Sequence, residues 1–328
     1  DKERRLELLA GPGAQLLVME DPYDTWGHGL IHLRQLAGVF GEPAVVLAEN
    51  GAVRATLAVT VRYRDSWARQ EITLYRDLPS ITGRLTVNWQ ERHKTLKLAF
   101  PFAIADPTAT FSAPYGHATV PAAGAEEPLQ EWLDLTGRID DARGVPHHYG
   151  VALLNDGKYG GDVLGGEARL TVLRSPVYAH HDPAPLDPGL VYIHQDQGQQ
   201  RLRWALVPHA GSWQEAGICH AAAAFNAPLL FVREYAHPGE LPREHGFLKV
   251  DPPGAAQPPP RKKTEDGDDL ILRLFEPHGR EASVRISLPA AGVSFTAALG
   301  PHQIKTFRLS RDGRTREVNF LEEEPSAR

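Results

Sequence analysis

The chain has 328 residues, 42% of them hydrophobic, with 35 basic against 41 acidic side chains and a formal net charge of −6. That length buries a substantial core, and the apolar fraction excludes a disordered chain. The mild acidity excludes an electrostatic footprint for nucleic acid, and no apolar run reaches the roughly 20 residues of a membrane helix.

Period-two alternation dominates the chain from the first predicted strand onward. Leu57, Val59, Val61 and Tyr63 alternate with Thr56, Ala58, Thr60 and Arg62. Ile81, Gly83, Leu85, Val87 and Trp89 repeat the pattern, followed by Leu96, Leu98 and Phe100, then Leu170 and Val172, then Leu202, Trp204 and Leu206. Toward the C-terminus come Leu270, Leu272 and Leu274, then Val284, Ile286 and Leu288, then Ile304 and Phe307. Successive strand side chains point to opposite faces, so each run offers one face to a core and one to solvent or a second layer. The segments between are rich in turn formers, 30 glycines and 27 prolines in all. The reading is an all-β protein. One helix is predicted over Trp213 to Asn226, where Trp213, Ala216, Gly217, His220, Ala221 and Ala224 share a face. There is no regular βαβ alternation, no GxGxxG and no phosphate-binding loop, which excludes a doubly wound nucleotide-binding fold.

One boundary stands out. Asp251 to Asp269 reads DPPGAAQPPPRKKTEDGDD, a segment that stiffens toward polyproline II and buries no apolar surface. The expected organisation is a large β-domain over 1–245, a Pro-rich linker or loop over 246–269 and a small β-sandwich over 270–328, with a frayed tail from Glu322.

Chemistry is harder to place. Cys219 is alone, so no intrachain disulfide or cysteine zinc site is expected, and no Asn-x-Ser/Thr acceptor occurs. A reducing, cytoplasmic setting follows. His180-His181-Asp182 and His147-His148 invite a metal reading, but neighbours on a strand point apart and HExxH spacing is missing. No metal site is predicted within this chain, and no GxSxG elbow supplies a nucleophile. Glu126-Glu127, Asp140-Asp141 and Glu322 to Glu324 read as solvated loop charge. Tyr23, Trp26, Tyr115, Trp132, Tyr159, Trp204 and Trp213 sit beside polar residues; they are either stacking faces for sugar rings or ordinary core and turn aromatics. NDGKYGGD, Asn155 to Asp162, is a tight turn loaded with Asp156, Lys158, Tyr159 and Asp162. It is either a polar site on a rigid sheet or a charged hairpin.

An ordered set of blocks carries a resemblance. LLVMEDPYDTWG (Leu16–Gly27), NWQERHKTLKLAFPF (Asn88–Phe102), PYGH (Pro114–His117), EEPLQEWLDLTG (Glu126–Gly137), YGVALLNDGKYGGDV (Tyr149–Val163), RLTVLRSP (Arg169–Pro176), WALVPHAGSW (Trp204–Trp213), LILRLFEPHGR (Leu270–Arg280) and HQIKTFRL (His302–Leu309) resemble the C-terminal β-region of glycoside hydrolase family 38, the α-mannosidases. The resemblance implies a galactose-mutarotase-like super-sandwich followed by a small C-terminal β-sandwich. It also implies retaining hydrolysis of terminal α-mannosides by the parent enzyme. In that family an Asp nucleophile and a zinc ion bound by His and Asp sit on an N-terminal α/β barrel, with a helical bundle after it.

No position of this sequence matches the nucleophile or zinc-ligand motifs, and the opening DKERR, without Met or signal peptide, reads as a cut start. The resemblance therefore implies no catalytic or metal residue in this chain and zinc ligands outside it. The chain alone is expected to be inactive, packing on the barrel and bundle of the parent polypeptide and shaping the pocket for α-mannoside sugars. Asp156, Lys158, Tyr159 and Arg174 are the candidates for the pocket-facing or barrel-facing surface; a position at the end farthest from where the chain enters argues against that assignment. The alternative is a stand-alone carbohydrate-binding module of the same fold. An aldose-epimerase-like enzyme rests on fold analogy only.

Overall fold

The computed structural model describes residues 1–178, 185–240, 242–257 and 262–323. His180, His181 and Asp182 lie outside the described residues. The chain is nearly all β and divides into two compact units, one formed by Asp1–Ala113 with Ala118–Asn226 and the other by Pro114–His117 with Ala227–Arg328.

The first unit pairs a six-stranded with a nine-stranded antiparallel sheet, as the super-sandwich reading expects. The six run in the order Glu127–Pro128, Gly160–Leu164, Glu167–Arg174, Lys94–Pro101, Gln15–Glu20 and Leu36–Val39. The nine run Gly41–Asn50, Arg54–Tyr63, Ser66–Tyr75, Ile81–Trp89, Gly198–Ala210, Pro146–Asn155, Trp132–Asp140, Ala105–Ala113 and Gly116–Val120. Their facing sides make one core in which Leu85, Val87, Trp89, Leu96, Leu98, Phe100, Leu170, Val172, Leu202 and Trp204 are all buried. These are the residues the alternation assigns inward. The first predicted run fits less closely: Leu57 is exposed and Ala58, its out-of-phase neighbour, is buried. That strand lies next to the edge of the longer sheet, where Val45, Val46 and Leu47 are also exposed and no second layer covers both faces.

The predicted helix is shorter than its pattern. It spans Ile218–Asn226, because Gly217 takes the left-handed backbone (φ 67°) and detaches the preceding turn. Trp213 stays with the helix by packing: its ring lies 4.9 Å from Trp132, over a cluster that includes Ala152, Leu154, Ala205, Ile218, Cys219 and Ala222. The helix thus roofs the outer face of the long sheet. Its end is held by the Asn226 amide, which donates to the carbonyls of Ala222 and Asn155 (3.1 and 3.0 Å).

The second unit has a three-stranded sheet (Lys249–Asp251, Ala282–Leu288, Val293–Leu299) and a four-stranded one (Lys262–Lys263, Leu270–Phe275, Ile304–Leu309, Thr315–Val318). Leu272, Leu274, Val284, Ile286, Leu288 and Phe307 fill its core. Two of these strands come from within 246–269, so that stretch contributes to a sheet as well as to a loop. Among the described residues no helix is long and apolar enough to cross a membrane.

The turn after Trp132–Asp140 shows how a loop carboxylate is used. Asp141 accepts the backbone N–H groups of Val145 and Arg143 (2.9 and 2.8 Å) and the Arg143 guanidinium. These donors favour the ionised form, led by Val145, and hold the carboxyl at about 2. A depressed carboxylate stabilises the fold above its ordinary value, and that contribution is lost as pH falls from 3.8 toward about 2. An NMR titration of Asp141 is expected to give its midpoint near the lower end of that window; a midpoint at the ordinary aspartate value would refute the assignment. In the same turn His147 lies 3.8 Å from Asp141, while His148 is exposed.

Candidate functional site

The register places five connections at one end of the large sandwich. They follow the strands ending at Glu20, Trp89, Pro128, Asn155 and Arg174, and their described residues are 21–35, 90–93, 129–131, 156–159, 175–178 and 185–197. Loops gathered at one end of a rigid sheet pair are where binding residues are presented. All four sequence candidates lie here.

Arg174 closes the Glu167–Arg174 strand and forks onto Asp21, with Nε and a terminal nitrogen at 2.8 and 2.9 Å from the two carboxylate oxygens. Asp21 is fully buried and also accepts the Thr95 hydroxyl at 2.6 Å. A bidentate, charge-assisted pair of this kind fixes orientation as well as charge. It pins the 21–35 loop to the sheet, where Asp24 accepts the backbone N–H of Gly27 and the Thr25 hydroxyl donates to the Val177 carbonyl. Arg174 is therefore engaged in the scaffold. Its backbone N–H reaches Asp196, whose charge also acts on Lys158.

Asp156 is likewise committed. Its two oxygens accept the backbone N–H and Nε of Arg203, both at 2.7 Å. Asn155 shapes the turn by accepting the N–H groups of Gly157 and Lys158. That leaves Tyr159 as the outward member, with Lys158 half-buried beside it. Burial pushes the Lys158 ammonium down, opposed by Asp196 and Asp156. Tyr159 is 69% exposed. Beneath it opens a cleft of about 200 Å³ lined by Gln130, Glu131, Asn155, Asp156, Gly157, Tyr159 and Asn226. Burial pushes the Glu131 carboxyl up. Amides, a carboxyl and an aromatic face around one small cleft can bond hydroxyls and stack a ring. Gln130 and Glu131 share one short connection and Asn226 closes the helix, so only the tertiary fold brings them to the turn at Asp156.

Two further features belong to this end. His93 and His194 bring their Nε2 atoms to 3.3 Å, and the His194 Nδ1 lies 3.3 Å from the Tyr192 carbonyl. Burial pushes both imidazoles down. Trp26 is also exposed, as is Tyr115, whereas Trp132, Trp204 and Trp213 are core residues.

The N-terminal segment packs at the opposite end. The Ala10 and Ala103 N–H groups bond the carbonyls of Pro101 and Leu8, and the Tyr149 hydroxyl donates to Asp1. The four candidates thus sit far from where the chain enters, which counts against their facing a domain joined directly at Asp1. Among the described residues no group of three or more His, Cys, Asp or Glu side chains could hold a metal ion.

Comparison with known proteins adds family relationships to this geometry. The model for the glycosyl hydrolases family 38 C-terminal domain matches residues 1–185, and that for the family 38 C-terminal beta sandwich domain matches residues 261–298. Alpha-mannosidase 2C1 of Mus musculus is 30% identical over 295 residues, covering 84% of this chain and 26% of its own length. Alpha-mannosidase G of Dictyostelium discoideum is 23% identical, covering 90% of this chain and 29% of its own length. The crystal structure of an alpha-mannosidase from Enterococcus faecalis V583 superposes with a TM-score of 0.70 at 15% identity, over 90% of this chain and 38% of that one. The chain thus spans between a quarter and a third of the length of these curated relatives.

Proposed function

The chain belongs to glycosyl hydrolase family 38 as a C-terminal β-region, and on that premise we propose that it is the C-terminal portion of a retaining α-mannosidase. Its part in that enzyme is to pack on the N-terminal catalytic barrel and helical bundle and to shape the pocket for terminal α-mannosides. One observation carries the reading: two successive family 38 models fall in order on the sandwich and on the second unit.

The residues here bind and position; they do not attack. Asp156 and Arg174 hold the loop end rigid through Arg203 and Asp21. Tyr159 and Lys158, with Glu131 in the cleft beside the tyrosine, lie opposite the N-terminal segment, so they are assigned to a sugar contact of the stand-alone reading rather than to a pocket shared with the barrel. The zinc that the resemblance implies is assigned to the barrel, since among the described residues no group of three or more His, Cys, Asp or Glu side chains could hold it. The lone, buried Cys219 supports a cytoplasmic setting.

The test is an assay with 4-nitrophenyl α-mannoside. This chain alone is expected to release no nitrophenol, and the polypeptide extended upstream to the length of its relatives is expected to release it. Turnover by this chain alone would overturn the reading. Millimolar mannose binding by the isolated chain, lost in Tyr159→Ala and Trp26→Ala, would favour the stand-alone module instead.

A further inference from the structure

After the helix ends at Asn226 the chain enters a segment that no part of the fold uses. Leu229, Leu230, Phe231 and Val232 are 99, 93, 90 and 78% exposed. Single exposed leucines need no explanation, but four consecutive large apolar residues form a patch of the kind that marks an interaction site. Among the described residues the backbone N–H and C=O groups from Leu229 to Val232 make no hydrogen bond. The segment is neither helix nor strand, so it offers both apolar side chains and unused main-chain polar groups. In a non-helical segment successive side chains cannot all lie on one side. A partner that covers all four must embrace the segment from two sides, so the fitting surface is a groove.

We propose that Leu229–Val232 is a docking strap, seated in an apolar groove of the N-terminal portion of a longer polypeptide to which this chain belongs. The proposal rests on the reading of the chain as the C-terminal part of a family 38 enzyme, and it names the contact that holds the parts together. What selects this occupant is the length outside the chain. The relatives extend to about three times the length of this chain, whose matched part covers 26% and 29% of them, and the matching family models are C-terminal ones. Pro228 immediately before the strap has no N–H and a fixed φ, which holds the strap out of the preceding helix. Asn226 anchors the helix end itself to Asn155, giving the strap a firm root.

Hydrogen exchange read by mass spectrometry tests this on two proteins, this chain and the polypeptide extended upstream. In this chain the amides of Leu229–Val232 are expected to exchange at nearly unprotected rates. In the longer polypeptide they are expected to slow by about 100-fold or more. Leu230→Asp with Phe231→Asp in the longer polypeptide should return them to fast exchange while Leu270–Phe275 keeps its protection, which separates undocking from unfolding. Unchanged exchange in the longer polypeptide overturns the proposal, as does concentration-dependent protection in this chain alone, which would make the occupant a second copy. Mannosidase activity is measured beside it. An active polypeptide with an unprotected strap defeats the docking alone, and a protected strap in an inactive polypeptide defeats the enzyme reading alone.

Discussion

Replacing Lys97 by Met is expected to cost the large sandwich about 3–5 kcal/mol at neutral pH, the penalty of breaking a buried ion pair from one side. Lys97 has no solvent exposure, and its ammonium donates to both Glu126 and Asp162, with the Thr171 hydroxyl at 3.3 Å. Asp162 also accepts Nε of Arg169 at 2.6 Å, and Thr171 donates to Glu126 at 3.1 Å. Two cations and two carboxylates therefore balance inside a covered layer. Met fills the volume of Lys but leaves two buried carboxylates to one guanidinium. Burial already pushes the Glu126 carboxyl up against the pull of Lys97, and without that pull it rises further. For a raised carboxylate the sign is that the folded state holds its proton longer, so stability is present at low pH and falls as pH rises through the folded value. The loss in Lys97→Met should hence be largest at neutral pH and shrink on acidification. Urea unfolding at two pH values measures it, and a loss under about 1 kcal/mol, typical of surface pairs, would refute the network's importance. Adding Glu126→Gln and Asp162→Asn should recover part of the loss, because the uncompensated charges are then gone.

Gly83→Ala is the second large effect expected. Gly83 lies directly across from Trp204, and an added Cβ would come within 1.9 Å of the indole Cε2. Trp204 cannot yield: it is fully buried and its ring sits edge-on to Phe100 at 5.1 Å. Overpacking of this kind costs about 1–3 kcal/mol and occasionally more, and a rigid indole between two sheets belongs at the top of that range. Denaturant unfolding of Gly83→Ala, Trp204→Phe and the double variant should show strong non-additivity, with the smaller ring relieving the clash. Additive losses would mean that the two positions do not share the space.

These two residues also mark how far the sequence could be read. Gly83 and Lys97 both stand in legible strands, Gly83 in the inward phase and Lys97 in the outward phase between Leu96 and Leu98. Alternation is a local property, because the pleat turns each successive side chain over whatever lies beyond the strand. It could not say that Trp204 would lie over Gly83, since that depends on the register between strands whose paired residues, 83 and 204, are 121 positions apart in the chain. Nor could it say that the outward face at Lys97 would be covered. Leu33 and the half-buried Tyr23 and Leu30 fold across the neighbouring Leu17, Met19 and Ala99 and turn a solvent-phase position into an interior one.

The candidate site divides in the same way. The NDGKYGGD turn and the end of the Arg174 strand could be picked out as loops at strand ends, and the ordered family blocks placed them in a known architecture. Whether each side chain was available to a ligand was decided by partners distant in sequence: Arg203 takes Asp156, Asp21 takes Arg174, and Tyr159 remains open. Local patterning thus determined the all-β class and most of the strand phases, and the ordered blocks carried the resemblance to the family. Pairing and layer packing, which act between residues far apart along the chain, decided which of those side chains serve the scaffold and which face outward.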